Sequence, residues 1–148
     1  MLPKWHILFG FIVSYILVYF FHFSIFAGLI IFLSSFLIDV DHYFYYAYKS
    51  KNSSLISAYN AGISKGSNWK NLSFEQKKKA YWIPFIFHGI EPLAILFLLS
   101  YFNAFFLWIF IGFIIHLTID YIEIIYQKDP LLEKFSQIYI YWRNKNRL

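Results

Sequence analysis

The chain has 148 residues, 59% hydrophobic and 25% aromatic, with 14% charged, a formal net charge of +5 and no cysteine. Soluble domains carry about 25% charged residues, and the charges here cluster between long apolar runs, a pattern of bilayer spans rather than of one large soluble core. The lack of cysteine excludes disulfides, thiolate metal ligands and a cysteine nucleophile.

The first apolar run, from about Trp5 to Phe21, has no small-residue cleavage site followed by soluble chain, so it reads as a span and not as a signal peptide. A tight turn through His22 leads to a second span over about residues 24–46, with Ser24 as its expected N-cap. Residues 49–80 form a polar loop with turn chemistry at Gly62 and Gly66. A capping-box signature, Ser73-Phe74-Glu75-Gln76, then opens a short helix into the third span. That span covers about residues 81–102, where Pro84 and Pro92 bracket His88-Gly89-Ile90-Glu91. Pro92 predicts a kink that frees the carbonyl of residue 88. After Asn103 a fourth span runs to about Tyr126. Asp129 and Pro130 read as an N-cap and first helical position, followed by an apolar stripe of Leu131, Phe135, Ile138, Tyr139 and Trp142.

The expected fold is all-α: an integral membrane bundle of four transmembrane helices, with a cytoplasmic loop and a C-terminal amphipathic interfacial helix over 130–148. All 13 basic residues fall on the side of the termini and the middle loop, and the turns at His22 and Asn103 carry none. The positive-inside bias therefore places both termini in the cytoplasm, with the protein in the cytoplasmic membrane. The basic loop and tail suit anionic lipid headgroups better than nucleic acid.

Within otherwise apolar spans lie Asp39, Asp41, His42, His88, Glu91, His116, Asp120 and Glu123. An ionisable group at the bilayer centre costs about 2.5–3.5 kcal/mol on insertion scales, so such groups face the bundle interior and find partners. Asp39 and His42 are three apart, as are His88 and Glu91, while His116, Asp120 and Glu123 share one helical stripe. Asp41 joins its neighbours only where the helix unwinds locally. With Tyr48, Tyr81 and Tyr126 as rims, helical rise puts groups from three spans about 9–15 Å inside the cytoplasmic face. His6 reaches that level only at the rim, and His22 lies at the opposite surface. Histidines and carboxylates converging from facing helices are how bundles build metal sites, and nitrogen and oxygen donors suit Zn²⁺, then Mn²⁺ or Fe²⁺, as one ion or two.

The run Ile38-Asp39-Val40-Asp41-His42, with His6 before it and His88 and His116-Leu117-Thr118-Ile119-Asp120 after it, resembles the YdjM-like membrane-bound metal-dependent hydrolases and their PDxDH and HxxxD motifs. Ile38 stands in place of the motif's proline, and the stretch around His88 lacks the arginine and serine of the corresponding family motif. The resemblance implies a metal-dependent hydrolase.

On this reading Asp39, Asp41, His42, His88, His116 and Asp120 hold the metal, with His6 and Glu123 as further ligands at the margin. Glu91, the surplus carboxylate at that depth, is the expected catalytic general base. The half-depth site suits a lipid ester or lipid phosphoester. The alternative is a small cation or proton carrier, or a metal-binding membrane scaffold without chemistry.

Overall fold

A computed structural model describes residues 3–146. Arg147 and the end of the expected tail lie outside the described residues. The described chain is all-helical, without a strand.

Helix α1 (Pro3–Phe20) and helix α2 (Ile25–Leu37) form a hairpin. His22 turns the chain at φ 56°, and the Ser24 hydroxyl accepts from the Ala27 amide at 3.1 Å, the expected cap. α2 loosens at Ile38-Asp39 and resumes as α3 (Val40–Ser50). Across this joint the amides of Asp39, Asp41 and His42 bond to carbonyls three residues back, at 3.3, 3.4 and 3.1 Å. This is the tighter 3₁₀ winding, so the regular α-helix is interrupted beside Asp41, by overwinding and not by the expected unwinding. Helix α7 (Ala104–Tyr126) is capped by Asn103, whose side chain accepts from the Phe105 amide at 2.8 Å.

α2 packs between α1 and α7. Glycines set the spacing: a Cβ at Gly112 would stand 2.0 Å from Ser34 Oγ and 2.7 Å from the Ile31 carbonyl, and one at Gly10 would stand 1.9 Å from Ser35 Oγ. Small residues at helix crossings let backbones approach this closely. Two stretches, Ile25–Ser50 and Ala104–Tyr126, are long and apolar enough to cross a membrane; α1 and the helix Ile90–Ser100 are shorter.

The expected elements between the second and fourth spans change in three places. Gly62 and Gly66 are not turns. They lie inside a 16-residue helix, α4 (Leu55–Lys70), where open space surrounds both. The capping box forms as read, with Ser73 and Gln76 bonded reciprocally, but its helix α5 (Phe74–Lys79) stops before the third span. Residues 81–89 are not helical, and the helix of that span, α6 (Ile90–Ser100), begins only beyond His88. Pro92 therefore occupies the first turn of α6, where its missing N–H costs nothing, and produces no mid-helix kink. Gly89 makes the junction at φ 138°, a backbone state open to glycine.

The tail also differs from the expected single amphipathic helix. A 3₁₀ turn over Leu131–Glu133 precedes α8 (Gln137–Lys145), whose N-cap is Ser136. Asp129 is no cap; it pairs with buried Lys77 at 2.7 Å. The inward side of α8 centres on Ile140, which is wholly buried, while Ile138 and Trp142 face outward. Arg143 lies over the Trp82 ring at 3.6 Å and donates to the carbonyls of Lys78 and Ala80, tying the tail to the loop.

The polarity of this fold is inverted. His6, Ser35, His88, His116 and Asp120 are at most 1% exposed, while large apolar side chains such as Phe11, Tyr19, Phe26 and Leu98 face outward along α1, α2 and α6.

Candidate metal centre

Four segments bring polar side chains, most of them buried, to one place. α1 contributes His6, the loosened α2–α3 joint contributes Asp39, Asp41 and His42, the non-helical stretch before α6 contributes His88, and α7 contributes His116 and Asp120. The hydrogen bonds around the two central histidines determine which ring nitrogen bears the proton. His116 Nδ1 stands 2.8 Å from the Ser35 carbonyl, which can only accept, so Nδ1 carries the hydrogen. His88 Nδ1 stands 3.2 Å from Asp41 Oδ2, which also accepts from the Phe87 amide at 3.1 Å. With Nδ1 of each ring hydrogen-bonded outward, the two Nε2 atoms face each other at 3.2 Å. Two lone pairs so placed would repel, and either a proton on one ring or a cation between them relieves it.

Carboxylates complete the surroundings. Asp39 Oδ1 lies 3.5 and 3.6 Å from the Nε2 atoms of His88 and His116, and Asp120 Oδ2 lies 3.6 and 3.4 Å from the same two atoms. Two near-equilateral triangles therefore share the His88–His116 edge. Ligands bound tetrahedrally at 2.0–2.1 Å stand about 3.3–3.4 Å apart, close to these edges. Three triads have ligand atoms all within 4.8 Å of one another: His88–His116–Asp120, Asp39–His42–His88 and His6–Asp39–His116. His6 Nδ1, Asp41 Oδ1, His42 Nε2 and Asp120 Oδ1 are buried and make no hydrogen bond. Unsatisfied donors and acceptors in a buried site are costly, and a cation would use those that point inward. These buried His and Asp groups could hold a metal ion.

The sequence-derived residues divide accordingly. Asp39, His42, His88, His116 and Asp120 come together as ligand candidates. Asp41 joins through His88, orienting its ring. His6 is no marginal group: it is 1% exposed, stacks on His116 with centroids 4.0 Å apart, and places Nε2 3.5 Å from Asp120 Oδ1. Glu123 lies one turn beyond Asp120 and accepts from Gln127 at 2.5 Å. Glu91 is not brought to the cluster. Its oxygens accept from the Ser136 hydroxyl at 2.5 Å and from the Gln137 and Ile138 amides at 3.1 Å each, so it caps the N-terminus of α8.

Two participants escape sequence reasoning. Lys134 donates to Asp120 Oδ2 at 2.7 Å from the folded-back tail. Phe85 stacks on His42 at 3.7 Å and 9°. A lysine beside Glu133 within the apolar stripe of the tail is the available signal for the first; nothing local marks the second.

No protein-family model, curated protein or solved structure matches this chain.

Proposed function

We propose that this is an integral cytoplasmic-membrane protein of four spans whose His/Asp cluster holds a divalent cation, Zn²⁺ foremost, and hydrolyses a membrane-derived substrate from the cytoplasmic face. The observation that carries the reading is the facing pair of Nε2 atoms on His88 and His116, flanked on both triangles by a carboxylate oxygen.

The membrane part rests on the inverted polarity and on the two long apolar stretches. α1 has 18 residues, about 27 Å of helix against a hydrocarbon layer of about 30 Å. The 11 residues of α6 cover about half that layer, and the non-helical residues 81–89 supply the rest. Broken backbone at such depth is tolerated where it lines protein and not lipid. The one-sided lysines and arginines support cytoplasmic termini.

A divalent cation bound by this set supplies Lewis acidity toward water and toward a scissile carbonyl or phosphoryl oxygen. The chain's own residues do the remaining work. Ser35 and Asp41 hold His116 and His88 in the tautomers that ligate. His6 and Ile38 wall the centre from bulk solvent, both at most 2% exposed. Asp39, whose side chain is 23% exposed, and His42, at 41%, form the open edge through which a substrate and protons pass. The motif resemblance to the YdjM-like hydrolases agrees with this assignment.

The test is hydrolysis of long-chain chromogenic esters and phosphodiesters in mixed micelles by the purified full-length protein. The reading predicts turnover that chelator abolishes, Zn²⁺ restores and His116→Ala lacks. Turnover unchanged by chelation, or equal in the His116→Ala protein, contradicts it.

A further inference from the structure

The loop between the second and third spans holds an apolar surface of its own. In α4, Leu55, Ile56, Tyr59 and Ile63 fall within an arc of about 100° around the helix, and all four are 45–76% exposed. Ser64 and Asn68 lie on the opposite side. No side chain of α4 is buried, and among the described residues its packing partner is α3. Both ends of the helix are nevertheless held in place. Lys51, at φ 53°, reverses the chain after α3, and the Tyr43 hydroxyl donates to the Ser53 carbonyl at 2.8 Å. Tyr43 precedes the end of α3 by about two turns, or about 10 Å of rise. The start of α4 therefore lies beside the end of the apolar stretch Ile25–Ser50 and not out beyond it. At the other end α5 follows after a short turn, and its Lys77 pairs with Asp129 and donates to the Gln127 carbonyl, just past the end of the stretch Ala104–Tyr126. From His42 to Phe74 the chain carries Lys49, Lys51, Lys65 and Lys70 and no acid.

We propose that α4 is an interfacial helix whose apolar face docks on an anionic bilayer surface, that of the membrane crossed by the spans. The inference rests on the membrane part of the proposed function and adds a lipid contact outside the spans. The tethers choose the bilayer. Both ends of α4 are held where the two long apolar stretches end, which on the membrane reading is the headgroup layer. The lysines choose the charge of the lipid, because a basic segment held at that level is drawn to anionic headgroups. An apolar face of Leu, Ile and Tyr on a helix with basic residues is the make-up of helices that lie in the plane of the interface, where a tyrosine ring is well placed. A second copy of the chain fits this face less well. Pairing α4 with α4 would bring the lysines of both together with no acid to offset them.

The experiment attaches nitroxide labels to single-cysteine variants of the full-length protein in phosphatidylcholine nanodiscs, with and without phosphatidylglycerol. It compares collisions of each label with oxygen and with a water-soluble nickel chelate. With phosphatidylglycerol present, labels at Ile56→Cys and Ile63→Cys are expected to favour oxygen, as a label at Ile114→Cys in α7 does, while Ser64→Cys and Asn68→Cys favour nickel. Omitting phosphatidylglycerol, or adding Lys51→Gln with Lys70→Gln, should lower the oxygen preference at Ile56 and Ile63 at least about twofold. Nickel preference at Ile56 and Ile63 beside oxygen preference at Ile114 overturns the proposal and leaves the membrane reading standing. Nickel preference at all three positions, Ile114 included, refutes the membrane reading on which the proposal rests. Shielding of Ile56 and Ile63 from both reagents, with spin–spin broadening, would put a second copy on this face and overturn the proposal. An oxygen preference that neither phosphatidylglycerol nor the lysine changes alter overturns the anionic surface as the occupant.

Discussion

Asp41 shows how much one side chain does here without being a ligand of the inner pair. Its Oδ2 holds His88 Nδ1 and the Phe87 amide together, so it orients both the ring and the backbone that carries it. Outer partners of metal-binding histidines contribute about 10–100-fold in metal affinity. Asp41→Ala should therefore weaken Zn²⁺ binding by that factor in a chelator competition, while the protein still binds metal when it is saturated. Lys77 tests a different quantity. It is 4% exposed, pairs with Asp129 at 2.7 Å and donates to the Gln127 carbonyl at 3.2 Å, far from the cluster in role. Removing one partner of a buried pair costs about 3–5 kcal/mol, so Lys77→Ala should lower the melting temperature markedly and leave metal content per folded chain unchanged. At this scale the sequence was informative wherever spacing on one element decided the outcome. The triplet Asp39, Asp41, His42 and the pair His116, Asp120 were legible because a helix puts such positions on one side. Glu91 looks surplus by depth alone, whereas its partners are the hydroxyl and amides at the start of α8, 45 to 47 residues away. Lys134 was missed for the same reason: its bond to Asp120 exists only once the tail folds back.

Elements explain where the ligands stand. Gly112 faces Ser34 and the Ile31 carbonyl so closely that any side chain there must push α2 from α7. Because Ser35 fixes His116 and lies next to that crossing, Gly112→Val should both destabilise the fold, by about 1–3 kcal/mol or more, and loosen the metal centre, measurable as a lower melting temperature and faster metal loss to chelator. Gly62→Ala and Gly66→Ala run the other way. Both residues sit in α4 with nothing near them, and alanine in a helix interior is worth roughly 0.5–1 kcal/mol over glycine, so each should raise the stability of α4 without touching the centre. Composition alone marks these glycines as breakers and so suggests turns. The long helix forms around them because the Ser54 cap and the surrounding residues carry it. The third span was misread through its apolar composition, which does not separate helix from extended chain over residues 81–89. Gly89, which takes a positive φ, and Pro92 in the first turn are the local signals that the helix begins there.

The whole molecule surrounds a buried cluster of histidines and carboxylates with many exposed apolar side chains, and that contrast supports the proposed place in a membrane. The chain contains no cysteine, so single-cysteine probes report topology without background. The proposed orientation predicts that Ser53→Cys and Ser64→Cys are labelled by an impermeant thiol reagent only from the cytoplasmic side, and Asn103→Cys only from the opposite side. Labelling of all three from one face would contradict four spans. Inside this envelope α1, the α2–α3 joint, residues 81–89 and α7 each deliver ligand candidates to one centre, and the tail closes on it with Lys134. The most direct measurement of that centre is elemental analysis of the protein purified in detergent, beside His88→Ala, His116→Ala and Asp120→Asn proteins shown to be folded. The account predicts one or two equivalents of a divalent metal, zinc foremost, per wild-type chain and loss of that metal in all three variants. Undiminished metal in the variants, or a wild-type protein that binds none when offered zinc, would contradict it.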